Sequence, residues 1–279
     1  MKVGIIGAGT MGAGIAQAFA MTDGYEVCLC DIKQEFADGG KAKIQKNINF
    51  LVGKEKITAE KGEEILGKIA TGLKDICTDC DLVIEVCPES MAIKKQTFAE
   101  LQQIVKKDCI FASNTSSLSI TEMGNGLDRP LIGMHFFNPA DRMKLVEVIA
   151  GANTPADLVE KIKGIAAEIG KTPVEVNEAA GFVVNRILIP MINEAINVYA
   201  AGVASVADID VAMQLGANHP MGPLALGDYI GLDIVLAIME VIYAETGDSK
   251  YAPAPLLRKM VRAGKLGKKT GEGFYNYAK

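Results

Sequence analysis

A histidine and a glutamate twelve residues apart hold the best-defined acid–base chemistry in this 279-residue chain. His135, one of only two histidines, closes the apolar run Leu131 to Met134. Glu147 sits inside a second apolar run, Leu145 to Ile149. A carboxylate in a strand-like apolar run needs a partner, because an unpaired buried charge is costly. The nine residues Phe136 to Lys144 are enough for the chain to turn back and bring His135 to it. The pairing predicts a general base oriented by a carboxylate.

A second group of residues points to a dinucleotide. Gly7, Gly9 and Gly12 follow the apolar run Val3 to Ile6, with Thr10 and Met11 inside the G-x-G-x-x-G turn. The first glycine permits the tight turn, the second admits a pyrophosphate, and the third lets helix and strand pack closely. A helix opening at the turn directs N–H groups and a favourable dipole at the phosphates. A second strand, Glu26 to Cys30, ends at Asp31, 19 residues beyond Gly12, where a ribose 2′-hydroxyl is read. Asp31 would repel a 2′-phosphate, which favours NAD over NADP against one nearby cation, Lys33.

The elements that must position these groups follow from periodicity. Strands are expected at 69–73, 81–87, 109–112, 131–134, 145–149 and 172–176, and helices at 92–105 and 155–169. Residues 36 to 67 break this rhythm as an inserted helical pair. Over 41–56 they carry Lys41, Lys43, Lys46, Lys54 and Lys56 against Glu55 alone. On residues alone a solvated helix face is the plainer reading of these lysines, and a seat for a polyanionic substrate tail the sharper one. The polar loop Ser113 to Ser117 lies at the end of a strand, where open α/β sheets bind ligands. It could equally cap a following helix. Beyond Gly181 only helices are expected: 182–199 with Pro190 kinking it, 206–214, 228–246 and 255–263, with 218–223 a loop. The expected architecture is α/β. A Rossmann-type doubly wound domain over 1–180, with a helical arm at about 36–67, precedes an all-helical domain over 181–279. The helical domain is apolar enough to bury a face against a second copy, as a homodimer or higher homo-oligomer.

Composition narrows the partners. A net charge of −5 with no basic block argues against nucleic acid. No apolar run approaches the roughly 20 residues of a membrane span. Met1 and Lys2 lead straight into a strand, so a cytoplasmic location without a signal peptide is expected. Cys77 and Cys80 have the spacing of half a metal site, with Cys28 and Cys30 a remote second pair. Reduced thiols and no metal are the expected state. His219, without an acidic neighbour, reads as structural.

Together the glycine turn, SNTSSLSI, HFFNP…MKLVEV, GFVVNRIL and KKTGEGFYNY resemble the 3-hydroxyacyl-CoA dehydrogenase family over essentially the whole chain. Its compact length is similar to the bacterial short-chain members acting on 3-hydroxybutyryl-CoA. The resemblance implies NAD(H)-dependent interconversion of (S)-3-hydroxybutyryl-CoA and acetoacetyl-CoA, with an acyl-CoA as partner, in fatty acid metabolism or butanoate fermentation. It implies His135 as base and Glu147 as its orienter, and it adds Ser116 and Asn185 to the catalytic and substrate contacts. It further implies cofactor contacts at Glu89, Lys94, Ser116, Asn138 and Lys269. Lys54 matches a CoA-contacting lysine, which makes the arm a tail site. The chain departs from its relatives at Phe50, where they tend to carry lysine, and at Ala140-Asp141-Arg142, where they carry small apolar residues. One alternative is a relative oxidising a free hydroxy acid or sugar acid, which would need no basic arm. Another is a nucleotide-binding module without turnover, which would not need His135, Glu147, Ser116 and Asn185.

Overall fold

A computed structural model describes residues 1–278. β1 (Lys2–Ile6) is buried from Val3 onwards and feeds the glycine turn, which opens into α1 (Thr10–Ala20). β2 (Glu26–Cys30) follows, then the inserted pair α2 (Gln34–Gly53) and α3 (Ala59–Gly67). The Thr58 hydroxyl caps α3 by accepting from the Lys61 N–H at 3.2 Å. The sheet resumes with β3 (Ile69–Gly72) and β4 (Leu82–Glu85), then α4 (Met91–Ile104), β5 (Ile110–Ser113) and α5 (Ile120–Gly124). β6 (Leu131–Phe136), β7 (Leu145–Ala150), α6 (Ala156–Glu168) and β8 (Thr172–Asn177) complete it.

The eight strands lie in the order β3-β2-β1-β4-β5-β6-β7-β8. All neighbours are parallel except β6 and β7, which run antiparallel. The order in which strands are added reverses between β1 and β4, the switch point where doubly wound sheets bind ligands at their carboxyl ends. β1, β2, β4, β5 and β6 are apolar with no alternation, as strands covered by helices on both faces must be.

The chain divides into two compact units, Met1–Ala179 and Ala180 onwards. The second contains α7 (Val184–Ala200), α8 (Val206–Gly216), α9 (Pro223–Ile230), α10 (Leu232–Thr246) and α11 (Pro255–Arg262). Pro190 lies inside α7, which continues through it. The single helix expected over 228–246 is two helices. Pro223 starts α9, where its fixed φ suits the first helical position, and Gly231 at φ +105° ends it. The tail is held by buried carboxylates. Asp228 accepts from Phe274 N at 3.0 Å, Tyr275 N at 2.9 Å and the Tyr277 hydroxyl at 3.1 Å. Asp210 accepts from the Tyr275 hydroxyl at 2.8 Å. Burial pushes the Asp228 carboxyl above its usual range, and these donors oppose that push. So GEGFYNY, quoted above for the resemblance, anchors the chain's end within this unit.

Candidate active site

The antiparallel pairing of β6 and β7 sets His135 directly opposite Glu147. The imidazole Nδ1 is 2.7 Å from Glu147 Oε2, with His135 4% and Glu147 1% exposed. An ionised carboxylate only accepts, so Nδ1 donates to it, and in the neutral imidazole the lone pair is then on Nε2. The arrangement therefore holds one tautomer, the one able to take a proton at Nε2. The Phe137 ring packs on the imidazole, centroids 4.5 Å apart. Asn114 fixes the strand end by accepting from Phe136 N at 2.8 Å.

At the carboxyl ends of β4 and β5 lies a polar network that periodicity gave no reason to expect. Glu85, fully buried on β4, binds the buried Lys94 ammonium at 2.9 and 3.1 Å. It also accepts from the Ser113 hydroxyl at 2.7 Å and from Cys87 N at 2.5 Å. Lys94 reaches the Cys87 carbonyl at 3.2 Å and Glu89 at 3.3 Å. Glu89 in turn accepts from the Thr115 hydroxyl at 2.6 Å, Ser116 N at 2.8 Å and Ser117 N at 3.1 Å. The three hydrogen bonds and the Glu89 ion pair of Lys94, with the loop donors gathered on Glu89, thus shape the 113–117 loop. Both residues, expected from the resemblance as cofactor contacts, also have these protein partners in and around the loop.

The glycine turn fits a dinucleotide on its own geometry. Gly7 has φ +111°, and a Cβ there would meet the Val86 carbonyl at 2.6 Å. A Cβ at Gly12 would lie 1.7 Å from the Gly7 carbonyl, so only glycine lets α1 pack on the turn. At Gly9 a Cβ would meet nothing within 4 Å, which leaves room beside the backbone, and no side chain caps α1 there. Asp31 at the end of β2 accepts from Ala8 N at 2.8 Å and Ile32 N at 2.7 Å. These groups line a cleft of 590 Å³ with Thr10, Met11, Ile6, Phe36, Val86 and Ile93. Cys87 lines it too, its thiol pushed up to about 11 by burial. An apolar cleft with an acid at one wall and free helix amides at another suits an adenosine pyrophosphate.

On the arm, Lys43, Lys46, Lys54 and Lys56 are exposed. Lys41 is not part of that surface, because its ammonium donates to the Ile69 carbonyl at 2.6 Å and ties α2 to β3. Phe50 is exposed, and the Lys54 ammonium stands 5.9 Å from its ring centroid, within cation–π range. Asn138 lies just beyond β6, in the loop joining His135 to Glu147. Ser116 lies half-buried in the loop after β5, in the same unit as His135. Asn185, buried in the first turn of α7, and Lys269, ion-paired to Asp233 at 2.5 Å, belong to the second unit. His219 lies in the loop after α8, where its N–H donates to the Met213 carbonyl at 3.3 Å. All six cysteines are free thiols, with Cys30 and Cys77 sulfurs 3.4 Å apart. Among the described residues no group of histidine, cysteine, aspartate and glutamate is arranged to hold a metal ion. Among them also, no helix is long and apolar enough to cross a membrane.

A family profile described as the 3-hydroxyacyl-CoA dehydrogenase NAD binding domain matches residues 2–179, and one described as its C-terminal domain matches 181–277. The chain is 54% identical over 283 residues to the 3-hydroxybutyryl-CoA dehydrogenase of Clostridioides difficile, covering 100% of both chains. It is 41% identical to the human mitochondrial hydroxyacyl-coenzyme A dehydrogenase, over 99% of this chain and 90% of that one. The crystal structure of (S)-3-hydroxybutyryl-CoA dehydrogenase from Ralstonia eutropha matches with a TM-score of 0.96 at 46% identity, over 100% of this chain and 99% of that one.

Proposed function

The chain belongs to the 3-hydroxyacyl-CoA dehydrogenase family, oxidoreductases acting on CH–OH donors with a nicotinamide cofactor, and from that premise we propose that it interconverts (S)-3-hydroxybutyryl-CoA and acetoacetyl-CoA using NAD(H). The observation that carries the reaction is the buried His135–Glu147 pair at 2.7 Å. Bound in the cleft, the nicotinamide supplies the hydride acceptor for C3, or the donor in reverse. His135 Nε2 takes the C3 hydroxyl proton as the carbonyl forms, and returns it to the developing alkoxide in reduction. Glu147 stabilises the imidazolium formed on the way. Ser116 and Asn185 hold the reacting oxygen and the thioester, and Asn138 stands in the loop between base and orienter. Lys54 and its neighbours on the arm take the anionic CoA tail. Glu89, Lys94 and Lys269 contact the cofactor, and Glu89 and Lys94 also support the 113–117 loop. The helical unit exposes the apolar residues Ile187, Val203 and Leu215, and it buries apolar surface against a second copy in a cytoplasmic homodimer or larger homo-oligomer.

Incubation with acetoacetyl-CoA and NADH is expected to yield (S)-3-hydroxybutyryl-CoA, resolved by chiral analysis. The R enantiomer as main product would refute the assignment. Cofactor choice rests on Asp31, whose carboxylate stands at the cleft wall. Asp31→Ser is expected to lower the NAD-over-NADP preference in kcat/KM by about tenfold or more, since a repulsion of about 1.4 kcal/mol is a factor of ten. An unchanged preference would remove Asp31 from cofactor selection.

A further inference from the structure

We propose that Asp141 is a positioning residue that couples the substrate-tail arm to the loop behind the base, so that a tail seated on α2 raises turnover at His135. The inference rests on the CoA-thioester reading above. Asp141 lies six residues after His135 and six before Glu147, at the middle of the connection that joins base to orienter. Its Oδ2 accepts from Asn47 Nδ2 of α2 at 3.0 Å. The same Asn47 amide donates to Gln17 Oε1 of α1 at 2.9 Å, and Gln17 is 3% exposed. One side-chain amide therefore ties together the arm, the helix that rises from the glycine turn, and the loop.

The loop is held on its other side as well. The Lys171 ammonium, buried at the start of β8, donates to the Ala140 carbonyl at 2.5 Å and the Met143 carbonyl at 2.9 Å. Ala140 is itself 2% exposed and packs on α1, where a Cβ at Gly14 would come within 3.1 Å of it. The Arg142 guanidinium, 3.6 Å from Asp141 but 69% exposed, adds little. With its flanks pinned, the loop has one adjustable attachment to α2, the Asn47–Asp141 bond. Asn47 is one turn from Lys43 and about two turns from Lys54, which caps α2, so it shares their side of the helix. A load on those lysines acts on the helix that grips Asp141, and Asp141 acts on the loop between His135 and Glu147. An apolar side chain in place of Asp141 could not accept that bond.

The test compares acetoacetyl-CoA with acetoacetyl-pantetheine, which carries the same thioester without the nucleotide tail. For the wild-type protein, kcat on the CoA thioester is expected to exceed kcat on the pantetheine thioester by about 3- to 30-fold, the range that energetic coupling between linked residues spans. Asp141→Val and Asn47→Ala are each expected to abolish that ratio while leaving pantetheine turnover unchanged. The double substitution should do no more than either single one, because both break one link. Asp141→Asn, which keeps an acceptor oxygen for Asn47, should retain the ratio. Equal kcat on both thioesters in the wild type would overturn the coupling while leaving the reaction in place. So would an equal loss on both thioesters in Asp141→Val, or additive effects in the double variant. No turnover of either thioester by the wild type would instead overturn the reaction itself, and the coupling with it.

Discussion

His135→Gln is expected to lower kcat for acetoacetyl-CoA reduction by about 10² to 10⁴, the contribution of a positioned general acid–base, while NADH binds as before. The substitution is well matched to the site. A glutamine fills a similar volume and offers an amide N–H to Glu147, so the buried carboxylate on β7 keeps a donor. What it lacks is a nitrogen that exchanges a proton. Glu147→Gln should cost less than the histidine change, because the imidazole remains while its orientation and tautomer are no longer held. The cofactor cleft is lined by the glycine turn, Asp31 and the segment after β4, none of which the substitution alters. Steady-state kinetics together with an NADH titration separate the two effects. Wild-type kcat in His135→Gln would remove the imidazole from the proton transfer, and lost NADH binding would show that the variant had lost more than its base.

Glu85→Ala is expected to destabilise the protein by about 3–5 kcal/mol, the cost of removing one partner of a buried ion pair. Lys94, 1% exposed, would be left with only the Cys87 carbonyl and Glu89 as partners. The Ser113 hydroxyl and Cys87 N–H would lose their acceptor as well. For a unit of this size the change corresponds to a fall in melting temperature of roughly 6–20 °C. Adding Lys94→Met to Glu85→Ala should recover part of the loss, because the stranded ammonium is then gone. Thermal unfolding of the three proteins decides this. An unshifted melting temperature in Glu85→Ala would mean that the pair is dispensable for folding. A double variant less stable than the single one would mean that Lys94 does not depend on Glu85.

The parts of this molecule that were readable from its residues are those with a local period or a fixed spacing. The buried strands show as unbroken apolar runs. The glycine turn and Asp31 are separated by a length set by one helix and one strand, and the structure returns Asp31 at the wall of the same cleft. His135 and Glu147 were legible together because a strand register of one residue decides both. The remaining contacts depend on chain folding over distances that leave no periodic trace. Asn47 and Asp141 are 94 residues apart, and Glu85 reaches Ser113 across 28. Asp228 holds Tyr275 across 47, so the tail motif could be recognised but its anchor could not. Lys41 looked like one more arm cation until the fold turned it onto the Ile69 carbonyl. The helix break at Gly231 leaves no mark in the apolar pattern, which runs on through it, and only the backbone conformation of that glycine marks the end. Roles for Ser116 and Asn185 rested on family resemblance, since a serine in a polar loop and an asparagine in an apolar helix carry no chemistry of their own until placed.

The most direct test of the proposed reaction is the rate of NADH oxidation by the purified protein with acetoacetyl-CoA and, separately, with free acetoacetate. The account predicts rapid oxidation with the thioester and little with the free acid, because His135 serves a substrate held by its tail on the arm. Oxidation with the free acid at an equal or greater rate, or none with the thioester, would contradict it.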